Sequence, residues 1–99
     1  MIKKIEILET LEMNQAQIKS FGVKRIGLFG SFAMDTQNKK SDIDILVEFK
    51  RGQKSFDHYM DLKAYLEQKL KRKVDLVIKE ALKPRVRPAI LKQIQYAGL

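Results

Sequence analysis

Ninety-nine residues, 44% of them hydrophobic and 32% charged, bound the chain to a single domain spanning 1–99, large enough for a core but too small for a catalytic domain plus a separate substrate domain. Cysteine is absent and His58 is the one histidine, which excludes disulfides, thiolate zinc sites, cysteine nucleophiles and a histidine metal cluster. A net charge of +8 favours polyanionic partners such as nucleotides, RNA or an acidic protein surface, while the lack of any apolar run near ~20 residues and of a signal-peptide core sets an expectation of a cytoplasmic protein with no membrane contact.

Ile2, Ile5, Leu8 and Leu11 follow helical spacing, so residues 2 to 12 are predicted as an amphipathic helix. Asn14, with Gln17 three positions on, reads as a capping pair that opens a second helix burying Ile18 and Phe21, and Gly22 closes it. Val23 to Phe29 is rich in β-branched and apolar residues and reads as a first strand, with Gly27 permitting close backbone approach. That strand runs straight into Gly30-Ser31, and Phe32-Ala33-Met34 then has helical character. A strand, a glycine turn and a helix start leave backbone N–H groups unpaired, so phosphate oxygens can be held there together with the Ser31 hydroxyl. Taken alone, Ser31 also suits a simple helix cap.

After a polar loop from Asp35 to Lys40, the stretch Ser41-Asp42-Ile43-Asp44-Ile45-Leu46-Val47-Glu48-Phe49 alternates: Asp42, Asp44 and Glu48 on one parity, Ile43, Ile45, Val47 and Phe49 on the other. A period of two is a half-buried strand, and it places Asp42 and Asp44 side by side on one face, two residues of about 3.3 Å each apart. Carboxylates so close repel unless a cation lies between them or one is pushed toward its protonated form. Hard oxygen ligands without thiolate point to magnesium or manganese, which is bound jointly by carboxylates and substrate phosphates, and so to phosphoryl or nucleotidyl transfer. Asp44 is followed by Ile45, Leu46 and Val47 with no glycine, which excludes a calcium-binding EF-hand loop. Ser41 suits a turn, and it completes the candidate nucleotide-binding set of Gly30, Ser31 and Ser41.

Ser55 opens a long predicted helix whose stripe carries Phe56, Tyr59, Leu62, Tyr65 or Leu66, and Leu70. Lys73 to Ile78 is a third strand in which Asp75 lies opposite Val74, Leu76 and Ile78; beside the second strand it would join Asp42 and Asp44, and on an edge it would discourage aggregation. The closing segment to Tyr96 is predicted as a helix beginning between Pro84 and Pro88, with Ile90, Leu91, Ile94 and Ala97 facing the sheet. Helices and strands mixed in one short chain give an α+β class, a small mixed sheet with helices packed on one face.

Gly30-Ser31-Phe32-Ala33, then Ser41 to Phe49, then Val74-Asp75-Leu76-Val77 closely resembles the nucleotidyltransferases of the DNA polymerase β superfamily, and more narrowly the minimal nucleotidyltransferase (MNT) domains that serve as antitoxins of HEPN-domain toxins. The resemblance covers nearly the whole chain. It implies that Gly30 and Ser31 hold the triphosphate of ATP, that Asp42 and Asp44 ligate two Mg2+ ions, and that Asp75 helps to activate the attacking hydroxyl and holds one metal. It further implies AMP transfer to a hydroxyl, expected to be a tyrosine of a cognate HEPN toxin, with nucleic acid involved only through that toxin. Neutralisation by binding without catalysis, and transfer to a small molecule, are the alternatives. Many members carry Arg-Gly where this chain has Met34-Asp35, and Lys39 or Lys40 in the following loop would substitute for the missing cation.

Overall fold

Apolar residues at helical spacing build α1 (Lys4–Met13) and α2 (Gln15–Ser20), from which Ile7, Leu11 and Ile18 enter the core. The computed structural model describes residues 2–99. Gly22, at φ +82°, turns the chain out of α2 into β1 (Val23–Phe29), a left-handed conformation that costs glycine nothing. Asn14 does not cap α2 with its side chain: its amide donates to Thr10 O at 2.8 Å and its Oδ1 accepts from the Tyr65 hydroxyl at 2.8 Å, tying α1 to the long helix instead.

From β1 the chain passes through the short α3 (Gly30–Met34) and a loop into β2 (Ile43–Phe49), then α4 (Phe56–Leu70) and β3 (Val74–Ile78). With Gln95–Tyr96 as β4, the sheet order is β3-β2-β1-β4, with β1 antiparallel and β3 parallel to β2. The α4 crossover is what makes the parallel pairing possible. Ser55 caps α4, its Oγ accepting from His58 N at 3.0 Å, and His58 is half-buried with Nδ1 2.6 Å from Gln53 O.

Alternation divides the sheet. Ile43, Ile45, Val47 and Phe49 of β2 join Val23, Ile26 and Leu28 of β1 and Val74 and Leu76 of β3 in one core, closed by α1, α2 and α4. Buried apolar surface of this kind supplies most of the folding drive, about 25 cal/mol per Å². These three helices lie together on one face of the sheet, as expected. A smaller cluster of Phe29, Leu46 and Leu82 on the opposite face is covered by Val77, Ile90, Leu91 and Ile94. Phe56 departs from its predicted place on the buried stripe: at the first position of α4 it is 77% exposed, and Leu62, Leu66 and Leu70 carry the burial.

The closing segment also departs from expectation. Lys79–Ala81 forms a 3-10 turn, and α5 runs only from Arg87 to Gln93, with Pro88 in its first turn where a missing N–H costs nothing. Ile94 is extended (φ −65°, ψ 139°), and Gln95–Tyr96 forms a short strand, β4, antiparallel to β1, with Gly27 opposite Tyr96. A β-carbon on Gly27 would stand 2.8 Å from Ile94 Cγ1, so the glycine admits this segment against the sheet. Among the described residues no helix is long and apolar enough to cross a membrane.

Candidate active site

The sheet register assembles the site. Phe29, the last residue of β1, is the partner of Asp44 in β2, and Asp44 is the partner of Asp75 in β3. Three strands therefore present, abreast at one end of the sheet, the Gly30-Ser31 turn, Asp44 and Asp75. Asp44, Leu46 and Glu48 share the parity opposite the main core, so both carboxylates emerge on the face that α1, α2 and α4 leave free.

Gly30 adopts φ +73°, and a β-carbon there would run into Asp44 Oδ2. Glycine is thus required twice, for the backbone conformation and for the room that the Asp44 carboxyl takes. The Gly30 N–H donates to Gln93 Oε1 at 2.8 Å, which ties α5 to the turn. Ser31 follows, half-buried at the first turn of α3, and its carbonyl accepts from Thr36 N at 2.9 Å as the chain leaves the helix through Asp35 in the left-handed conformation.

Burial, in the first place, raises the Asp44 carboxyl from 3.8 to about 6; the charge of Asp75, a hydrogen bond with Asp75 and the charge of Asp42 act in the same direction. Asp75 is exposed on the edge strand, and Asp42 is exposed just ahead of β2 rather than within it. A carboxyl crowded enough to retain a proton is one at which a divalent cation can take the proton's place. Among the described residues no three His, Cys, Asp or Glu side chains form a closed ligand cluster. The paired Asp44 and Asp75, with Asp42 beside them, fit an ion of the magnesium type, which is held by one or two carboxylates and completes its shell with water and substrate phosphate.

Ser41 occupies a tight turn: its Oγ accepts from Asn38 N at 3.0 Å and its N–H donates to Asn38 O at 3.1 Å. Lys39 and Lys40 are exposed on the same loop. Met34 is 57% exposed, and Asp35 forms an ion pair with Lys4 of α1 at 3.7 Å. Two contributors lay outside the sequence reading. Gln93 sits on a helix with nothing in its spacing to mark it, and Arg72 is one cation in a basic run, yet it donates to three carbonyls of the loop before Asp42.

The family model described as a nucleotidyltransferase domain matches residues 6–97. A Methanocaldococcus jannaschii protein named as a candidate protein adenylyltransferase is 42% identical over 92% of this chain and 94% of its own length, and the protein adenylyltransferase MntA of Thermococcus cleftensis is 35% identical over 96% and 94%. Among solved structures, one described as a candidate minimal nucleotidyltransferase superposes with a TM-score of 0.71 at 33% identity, covering 93% of this chain and 95% of that one. A toxin-antitoxin structure with AMP-PNP follows at a TM-score of 0.67 and 25% identity, covering 96% and 72%. The same fold is found, at 21% identity and a TM-score of 0.62 over 90% and 70%, in the complex of a tri-AMPylated Shewanella oneidensis HEPN toxin with its MNT antitoxin.

Proposed function

The chain belongs to the nucleotidyltransferase domain family, and on that premise we propose that it is an Mg2+-dependent protein adenylyltransferase that moves AMP from ATP onto a tyrosine hydroxyl of a cognate HEPN toxin, and so acts as its antitoxin. The observation that carries the reading is the position of Asp44, seated in the space left by Gly30 and paired in register with Asp75. This is a carboxylate pair beside a glycine turn, on the sheet face opposite α1, α2 and α4. The acceptor's identity as a toxin is supported by the relatives named for protein adenylylation and by the toxin-antitoxin structure with AMP-PNP.

In this scheme the Ser31 hydroxyl and the adjoining backbone amides of α3 hold the triphosphate. Asp42 and Asp44, with Asp75, hold the divalent cation. When bound, that cation supplies charge neutralisation at the phosphates. The acceptor oxygen bonds to the α-phosphorus, the bond from that phosphorus to the bridging oxygen of the β-phosphate breaks, and pyrophosphate leaves. The hydroxyl proton passes to a carboxylate, for which exposed Asp75 is the candidate. The nucleotidyltransferase fold takes up residues 6–97, and in this proposal the acceptor hydroxyl belongs to a second protein.

Intact-mass spectrometry of the toxin after incubation with this protein, ATP and Mg2+ tests the proposal. AMP-sized increments are expected with wild type and not with Asp42→Asn, Asp44→Asn. A stable complex with no increment overturns it in favour of neutralisation by binding, the reading that Met34-Asp35 favours in place of the family's basic residue.

A further inference from the structure

The loop from Asp35 to Asp42 has no regular structure after the α3 turn, although it ends on a residue assigned to the cation site. Its own bonds are local: Asn38 N to Ser41 Oγ, Lys40 N to Asn38 Oδ1 at 2.8 Å, and Ser41 N to Asn38 O. The sheet ladder first takes hold beyond Asp42, where Ile43 N donates to Lys73 O at 2.9 Å. Asp42 therefore stands between a short self-closed turn and the start of a strand.

Arg72 bridges that gap from the far side of α4. Lys71 ends the helix in the left-handed conformation at φ +54°, which turns the next residue back toward the sheet. Arg72 Nε donates to Ser41 O at 2.7 Å, and its Nη2 donates to Asn38 O at 3.0 Å and Lys39 O at 2.8 Å. The guanidinium carbon also lies 5.2 Å from the ring centroid of buried Phe32, the residue after Ser31. One rigid fork thus joins the phosphate-side helix, the loop and the approach to β3. Asn38 and Lys39 are exposed, so water can satisfy their two carbonyls equally well, whereas Ser41 is half-buried. What water does not supply is a fixed direction for the loop.

Resting on the function proposed above, we infer that Arg72 is a positioning residue that sets the place of Asp42 relative to Asp44 and Ser31. Its planar donor geometry matters as well as its charge. A lysine ammonium keeps the charge but has no planar fork with which to bind Ser41 O and the two upstream carbonyls at once.

Arg72→Gln and Arg72→Lys test this, with Mn2+ as probe, titrated by electron paramagnetic resonance in the presence of ATP, and amide exchange read at residues 39–42. Both variants are expected to bind Mn2+ at least fivefold more weakly and to exchange those amides faster, with exchange in β1 and β2 unchanged. In transfer assays kcat is expected to fall more than KM for ATP rises. Wild-type Mn2+ affinity in Arg72→Gln overturns the inference, and wild-type affinity in Arg72→Lys alone overturns the geometric part, leaving a role for charge. If Arg72→Gln fails to fold, Arg72→Lys carries the test. A wild-type protein that binds no Mn2+ with ATP overturns the functional reading, and the inference with it.

Discussion

Gly30 and Asp44 occupy one space: the carboxyl oxygen of the aspartate fills the volume that a β-carbon on the glycine would take. The glycine turn and the aspartate strand are thus a single interlocked feature. Neither can vary alone, because β1 and β2 are paired immediately behind it, Phe29 against Asp44.

Gly30→Ala is expected to act on both partners. A left-handed φ costs a non-glycine residue roughly 1–2 kcal/mol, and the methyl displaces Asp44 in addition. The melting temperature should drop by several degrees, at about 4–8 °C per kcal/mol for a domain of this size, and adenylyl transfer should fall about a hundredfold or more. Differential scanning fluorimetry beside the transfer assay checks it. Wild-type activity in Gly30→Ala means that Asp44 does not need this space.

Asp44 gives a pH dependence opposite in sign to the usual carboxylate. Its folded pKa of about 6 lies above the ordinary carboxyl value of 3.8, so between those values the folded protein binds more proton than the unfolded chain. Stability from this group is therefore lost as pH rises from about 4 to 6 and stays low above it. Metal-free Asp44→Asn should show a flatter melting profile across that window and melt a few degrees higher than wild type at pH 7.5. Asp75→Asn, which removes one of the causes of the shift, should lower the Asp44 titration midpoint seen by carbon-detected NMR. A metal-free Asp44→Asn that melts lower than wild type at pH 7.5 contradicts an unfavourable burial of the ionised Asp44 carboxyl.

The parts of the site carried by local pattern were legible in the residues. Period-two alternation announced β2, and a glycine-serine pair after a strand announced the turn, since both are written within a few positions. Arg72 and Gln93 were not, because their bonds span 31 to 34 and 63 positions and end on backbone atoms, which carry no residue identity. β4 is not legible in the residues for a related reason. Its pairing is decided by the space at Gly27, while its own sequence continues a helical pattern.

Gly27 accordingly offers a test of how the C-terminal segment is held. In Gly27→Ala the new methyl meets Ile94 Cγ1 at 2.8 Å and Gln95 O at 3.1 Å, and the second of these is backbone, which cannot rotate away. Overpacking of this kind costs about 1–3 kcal/mol. Limited proteolysis should release residues beyond Ile94 faster than in wild type, and the melting temperature should fall. An unchanged cleavage rate shows that β4 does not depend on the glycine.

Gln93 completes the same chain of contacts, from β4 through α5 to the Gly-Ser turn. Its Oε1 accepts the Gly30 N–H, so Gln93→Leu leaves that donor unpaired in a half-buried position, at a cost of about 1–3 kcal/mol, while keeping the side chain's bulk. Gln93→Glu retains an acceptor but adds a negative charge beside the turn assigned to the triphosphate. The two variants separate the roles: Gln93→Leu is expected to melt lower with KM for ATP raised only a few-fold, and Gln93→Glu to melt near wild type with KM for ATP raised tenfold or more. Steady-state kinetics at varied ATP, beside the melting curves, resolves them. Equal KM values in Gln93→Glu and wild type place the triphosphate away from Gly30.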